Sequence, residues 1–466
     1  MSSPYLYAPS GLSGVFMPTP EIGDIEVVVK DEEIHLFHLI LPNHDIIAHA
    51  VSRDGLVWEE LPDALHTGHP GSYDDDMLWT PSVKRFKNRY HMVYPALSKA
   101  DHGKIPRTAL ATSEDLIHWE KYRGNPICEA DARWYDIDLT TGQVSWRDPY
   151  LFVEQDTAYV LVCAREKQNV PFLRRGCVGL VSSKNGTHWN VEAPLYAPGH
   201  FIDWEVPVLV KLNGHYYLLG GIRETGRCHY RIAERFEGPY WTPSNDAMLP
   251  RGNYANRVCE WKGKHLMFSW VRPLDTEDFP GRLLAPPKEI IVENDATLGL
   301  GSFEGWTEKH KGPRLVLSAE DFLRKGKSVK GRWEARGTEI RCHSPGEMST
   351  LLLEQEEDNF ILEMRVRIQQ GIAAGIVFRS PDDGFGQGMF LRVSLVENEI
   401  QLVRWGKEEM RSDWQDRHEI LYKRHVLHAG SVSIRPGEDC KLHLIASHEY
   451  VEASVNGRVK ISTISW

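Results

Sequence analysis

Three carboxyl-bearing residues, Asp24, Asp148 and Glu205, occupy matching places along a chain of 466 residues. Each lies eleven residues ahead of a short apolar run, at His35, Tyr159 and Tyr216, and the same count back from His91 and His265 reaches Thr80 and Tyr254. Acids brought to one point can divide the work of cleaving a glycosidic bond. One attacks the anomeric carbon and another protonates the departing oxygen, the two lying about 5 Å apart when configuration is retained. Crowding also raises the pKa of one carboxyl, as a general acid near neutral pH requires. Taken singly, each acid reads more readily as a turn residue or strand-end cap; convergence of three is what points to chemistry.

Convergence needs a scaffold that repeats. The unit Ser52-Arg53-Asp54-Gly55-Leu56-Val57-Trp58 recurs as Ser113 to Trp119 and Ser183 to Trp189, with a worn copy ending at Tyr240-Trp241. Runs beginning at His35, His91, Tyr159, Tyr216 and His265 are five to seven residues long, rich in aromatic and branched side chains, and entered through turns such as Leu212-Asn213-Gly214. They read as strands, spaced 49 to 68 residues apart with no helix-period segment between them. That spacing predicts a five-bladed β-propeller over residues 1–311, with the start of each innermost strand facing the central axis at one end. From about Gly312 a basic stretch (RLVLSAEDFLRKGKSVKGRW from Arg314) leads into alternating strands, such as Phe360 to Ile368 and Lys441 to Ile445. An Asn456-Gly457 hairpin signal follows, so residues 312–466 are expected to form a C-terminal β-sandwich in an all-β protein. No comparable set of acids falls in this part; it is read as a stabilising or sugar-contacting module.

Composition narrows the partners. A formal charge of -11 argues against nucleic acid, which is held mainly by an excess of Lys and Arg. No stretch approaches the roughly 18 apolar residues that span a bilayer, and MSSPYLYAPSGLSGVFMPTP lacks a basic region followed by an apolar run. The seven cysteines are scattered, with no C-x-x-C pair, so neither metal nor cofactor is expected. A soluble cytoplasmic protein with a carbohydrate substrate is the expectation, export by another route being left open; the oligomeric state is not legible. Asn185-Gly186-Thr187 is a glycosylation sequon better explained as a turn.

The motifs around the three acids are Gly23-Asp24-Ile25 ahead of the HLF strand, Trp146-Arg147-Asp148-Pro149 and Trp204-Glu205-Val206-Pro207; with Ser52 to Leu65 and Tyr254-Ala255-Asn256-Arg257 they resemble glycoside hydrolase family 32, the invertase, inulinase and levanase group. The resemblance covers about 300 residues and implies a five-bladed propeller followed by a β-sandwich. It also implies Asp24 as nucleophile, Glu205 as acid/base and Asp148 as transition-state stabiliser, with Arg147 beside Asp148 keeping it ionised. Trp79 and Thr80, at the second blade's axial position, and Tyr254 are candidates to line the sugar subsite. His38, His102 and His200 rank lower, since a lone histidine usually has a structural role. The chain departs from the family pattern in having Ile25 and Glu26 after Asp24, Leu39 where a Gln is usual, and Val206 and Val208 after Glu205.

These residues lead to a retaining glycoside hydrolase acting on β-fructofuranosides or a related furanoside. The alternatives are another propeller glycosidase of the arabinofuranosidase kind, an enzyme transferring sugar through the same intermediate, or a noncatalytic carbohydrate-binding propeller.

Overall fold

The computed structural model describes residues 5–10, 21–167, 170–249, 252–273, 281–344, 349–353, 357, 359–380, 387–407 and 422–465. Most of the N-terminal stretch MSSPYLYAPSGLSGVFMPTP lies outside these residues. Two compact units are present, Met1–Trp306 with Ser462–Trp466, and Thr307–Ile461.

In the first unit five antiparallel sheets follow one another along the chain. Their innermost strands are Glu21–Lys30, Ser82–Phe86, Trp146–Glu154, Trp204–Leu212 and Asn253–Trp261. Each packs beside the next, and the fifth packs beside the first, so the sheets close into a five-bladed propeller. Closure depends on apolar side chains from facing blades. Phe37, Leu39 and Ile47 of blade 1 pack with Met92, Tyr94 and Leu116 of blade 2. Leu161 and Val178 of blade 3 meet Leu209 and Leu218 of blade 4.

The repeated Ser-x-Asp turn forms for a local reason. Ser52 Oγ accepts from Gly55 N at 2.9 Å, and Asp54 Oδ1 accepts from Leu56 N and Val57 N at 2.9 and 2.8 Å. Ser113 with Asp115, and Ser183 with Asn185, satisfy the same backbone donors. Asn185 thus caps its own turn, which accounts for the sequon-like triplet. In the second copy Leu116 takes the left-handed position (φ 73°) that Gly55 and Gly186 fill in the others, a strained choice accompanied by complete burial of its side chain.

In the second unit one sheet contains Asn359–Arg367, Asp439–Ser447, Tyr450–Val455 and the first part of Arg458–Ile464, and the other Ala373–Phe378, Gln387–Ser394, Glu399–Lys407 and Tyr422–Ser431. Leu391 and Leu402 from one sheet meet Leu442, Leu444 and Ala453 from the other in a shared core, which makes the pair a β-sandwich. Asn456 and Gly457 turn with φ of 50° and 77°, as a two-residue hairpin requires. The basic stretch after Arg314 holds the helix Ala319–Lys325, capped by the Ser318 side chain, and the strand Lys327–Lys330.

Candidate active site

Every innermost strand of the propeller ends in a two-residue hairpin turn, and counting back from that turn fixes which residues are equivalent. The last paired residues are Lys30, Phe86, Glu154, Leu212 and Trp261. Asp24, Thr80 and Asp148 stand six residues before theirs, whereas Glu205 and Tyr254 stand seven before. The single shared phase expected for all five positions therefore holds for blades 1 to 3 and shifts by one in blades 4 and 5. There the aromatic or histidine used as an anchor, Tyr216 or His265, comes one residue sooner after the turn.

Both phases still reach the axis because the strands are bulged there. The pairing registers slip between Ile22 and Ile25, Arg147 and Tyr150, Glu205 and Val208, and Tyr254 and Arg257. In blade 2 the strand is interrupted between Met77–Leu78 and Ser82–Phe86. An extra residue at a bulge lets two consecutive side chains escape the usual alternation of faces. The sequence permits it: Pro81, Pro149 and Pro207 lack the N–H that a regular ladder would use, and Asp148 and Val206 take left-handed φ of 54° and 48°. For branched Val206 that conformation is strained, and it accompanies an N–H donated to Asp148 Oδ2 at 3.2 Å.

Two tiers result. In one, Thr80 Oγ1 lies 2.7 Å from Asp24 Oδ2 and 3.0 Å from Asp148 Oδ1. In the other, Glu205 is held between its equivalents in adjacent blades, with Arg147 Nη2 donating to Oε1 at 2.7 Å and Tyr254 Oη to Oε2 at 2.8 Å. Tyr254 lies so close over Gly221 that a Cβ there would come within 2.2 Å of its ring, so the glycine sets where the phenol points. Blade 1 has Gly23 in this second tier, where a Cβ would meet that of Leu39 at 2.6 Å. Trp270 Nε1 adds a longer contact of 3.4 Å to Asp24 Oδ1. Asp24, Trp79, Thr80, Arg147, Asp148, Glu205 and Tyr254 all line one cavity of about 530 Å³.

The electrostatics set burial against the pull of Arg147. The guanidinium favours the ionised Asp148, as expected, but burial outweighs it and pushes the carboxyl up to about 7, with Asp24 and Glu205 adding to the rise. The guanidinium is engaged elsewhere, with Glu205 and with the fully buried Asp203 (3.3 Å), while its Nε is 3.7 Å from Asp148. The protonated form of Asp148, which burial favours, also suits the Thr80 geometry. One hydroxyl proton serves Asp24, and the Asp148 carboxyl can donate its own proton to Thr80 Oγ1.

This has a stability consequence with a definite sign. Folding favours the protonated Asp148, so its contribution is fully present below pH about 4 and is lost as pH rises toward 7. Asp148→Asn mimics the protonated form. It is expected to match the wild type in unfolding free energy near pH 3.5 and to exceed it by on the order of 4 kcal/mol at pH 8. Equal stability of the two proteins at pH 8 would contradict the assignment.

Several residues the sequence did not single out complete the cavity: His44, Arg223, Trp270, Arg272 and Arg282, besides Leu39. Burial lowers the pKa of His44. His38, His102 and His200 lie away from the cavity. His38 is buried against Tyr7 Oη at 3.0 Å and pushed down to about 4 by desolvation. His102 caps a one-turn helix at Lys99–Asp101, and His200 is exposed. Among the described residues no group of three or more His, Cys, Asp or Glu is placed to hold a metal ion, and no helix is long and apolar enough to cross a membrane.

Residues 24–297 match the family model of the glycosyl hydrolases family 32 N-terminal domain. Solved structures of similar fold include a family 32 β-fructofuranosidase of Bombyx mori, at 16% identity over 100% of this chain and 89% of that one, with a TM-score of 0.65. The sucrose-6-phosphate hydrolase of Lactobacillus gasseri is likewise 16% identical over 100% and 89%, with a TM-score of 0.67. The exo-inulinase of Aspergillus awamori is 16% identical over 100% and 93%, with a TM-score of 0.68.

Proposed function

Because the chain belongs to glycosyl hydrolases family 32, and is a glycoside hydrolase, we propose that it cleaves β-fructofuranosides or a related furanoside with retention, by double displacement. The observation that carries this reading is the meeting of Asp24, Asp148 and Glu205, from three different blades, in one cavity. Asp24, oriented by Thr80 and Trp270, attacks the anomeric carbon as the bond to the leaving oxygen breaks, giving a covalent glycosyl ester. Glu205 gives that oxygen its proton, then takes one from the water that releases the sugar. Tyr254 and Arg147 hold Glu205 in place between the two steps. Asp148 offers the sugar hydroxyls a carboxyl that both donates and accepts.

Glu26 and Leu39, two of the departures from the family pattern, have different consequences. Glu26 is buried in an ion pair with Arg257 and does not line the cavity. Leu39 lines the cavity and replaces a hydrogen-bonding wall by an apolar one, which is why a related furanoside stays within the reading.

Assays on sucrose, inulin, levan and aryl furanosides, with methanol as competing acceptor and Glu205→Gln as control, test it. The expected product is the methyl furanoside of unchanged anomeric configuration. The inverted product, or no sugar released from any of the four, would rule the mechanism out.

A further inference from the structure

Asp203 stands two residues before Glu205, just ahead of the fourth blade's innermost strand, and is fully buried. It lines neither of the two cavities that Glu205 borders. A carboxylate held out of water needs charge and hydrogen bonds around it, and this one has both. Its Oδ2 lies 3.0 Å from Arg165 Nη2, 3.3 Å from Arg147 Nη2 and 3.6 Å from Arg223 Nη1, and its Oδ1 accepts from Ser145 Oγ at 3.1 Å. Ser145 Oγ in turn accepts from Arg147 Nη1 at 2.7 Å. Both ends of the Arg147 fork therefore lead back to Asp203, one directly and one through the serine.

What this grip controls is Glu205. Arg147 Nη2 donates to Glu205 Oε1, and Tyr254 Oη to Oε2. The two partners are not equivalent. A guanidinium only donates, so Oε1 accepts from it whatever the charge of Glu205, whereas a phenol hydroxyl can donate to Oε2 or accept from it. The proton that Glu205 delivers therefore belongs on Oε2. It passes from there to the leaving oxygen as the glycosidic bond breaks, and Oε2 later takes the proton of the incoming water. That division lasts only while Arg147 stays on Oε1. Its Nε is 3.7 Å from Asp148 Oδ2, so a second carboxyl competes for the guanidinium close by.

We infer that Asp203 is a positioning residue for acid catalysis: with Ser145 it fixes the Arg147 fork against Glu205 Oε1 and away from Asp148, which keeps the transferable proton on Oε2. The inference rests on the proposed function for its assignment of Glu205 as the acid.

The test compares kcat/KM for the sugar substrate that the wild type cleaves best with kcat/KM for the 4-nitrophenyl glycoside of the same furanose, whose phenolate departs without a proton. This ratio reports only the steps through cleavage of the glycosidic bond, so the acid's contribution appears as the difference between the two substrates. In Asp203→Asn, efficiency is expected to fall about 10²-fold on the sugar substrate and less than about threefold on the aryl one. Ser145→Ala removes one grip of the two and little volume. It should give the same pattern with a loss of about fivefold, and it carries the test if Asp203→Asn does not fold. An equal loss on both substrates, as a merely structural role would give, or no loss on the sugar substrate, would overturn the inference. Glu205→Gln is the reference. If it fails to spare the aryl substrate, or if the wild type cleaves neither, the proposed function fails by itself, and a crystal structure of either variant decides the positioning without turnover. Arg147 found off Glu205 Oε1 supports it, and Arg147 still bound there refutes it.

Discussion

Asp24→Asn is expected to lower kcat by about 10⁴-fold or more on whichever furanoside the wild type cleaves best. The amide has nearly the shape of the carboxylate, and its oxygen can still accept from Thr80 Oγ1, which lies 2.7 Å from the native carboxylate. What disappears is the anionic oxygen that, in the proposed mechanism, forms the bond to the anomeric carbon. KM should therefore change far less than kcat, and the thermal midpoint should stay close to that of the wild type. The variant separates this role from its alternatives. A transition-state stabiliser alone would leave far more activity than a missing nucleophile does, and a binding site without catalysis would show no rate to lose. A kcat above about a tenth of wild type would remove Asp24 from the nucleophile's place.

The second large effect concerns stability. Arg257 is fully buried on the propeller axis, where it joins four blades: its Nε meets Glu26 Oε2 at 3.0 Å, Nη1 reaches Pro207 O at 3.2 Å and Nη2 reaches Pro149 O at 3.0 Å. Pro149 and Pro207 follow Asp148 and Val206, so the same side chain ties down the bulges that aim the carboxyls. Arg257→Met leaves Glu26 buried without its partner and two carbonyls without donors, a loss expected at about 3–5 kcal/mol. The loss should grow with pH. Burial already pushes Glu26 up to about 7 against the pull of Arg257, and without the arginine the carboxyl goes higher and must give up its charge to stay buried. The expected result is a larger gap from wild type in denaturant midpoint at pH 8 than at pH 5.5. Arg257→Met combined with Glu26→Gln should recover part of it, since removing both charges costs less than stranding one. A single variant within about 1 kcal/mol of wild type at pH 8 would show that the pair does not hold the axis together.

Activity should suffer in Arg257→Met even in molecules that stay folded. The arginine's hydrogen bonds go to Glu26 and to the backbone beside Asp148 and Glu205, and a shift of about 1 Å in such a support costs on the order of 10²-fold in rate. The double variant distinguishes the two effects: stability returns in part, whereas the carbonyls of Pro149 and Pro207 still lack their donor.

Features settled between near neighbours along the chain are legible in the amino-acid order alone. The Ser-x-Asp turn closes on its own backbone within six residues, so its recurrence exposes the blades. Two-residue turns such as Asn213-Gly214 and Asn456-Gly457 need left-handed residues, and so mark the hairpins of propeller and sandwich alike. The acids themselves, with Trp79, Thr80 and Tyr254, can be named because repeated strands bring repeated positions to a common axis, and Arg147 through the resemblance of its motif around Asp148.

What lies beyond the sequence is everything decided between blades. The one-residue offset that pairs Glu205 with Arg147 and Tyr254, while Thr80 bridges Asp24 and Asp148, depends on where each bulge falls relative to its turn. The buried Asp203 and its three arginines meet from chain positions 147 to 223. Whether Asp148 carries a proton is decided by desolvation, and desolvation exists only once the ring has closed. Local hydrogen bonds depend on residue type at short range and can be read from order alone. Burial and charge are properties of the closed ring, so the three acids are visible in the chain, but their protonation and their partners are not.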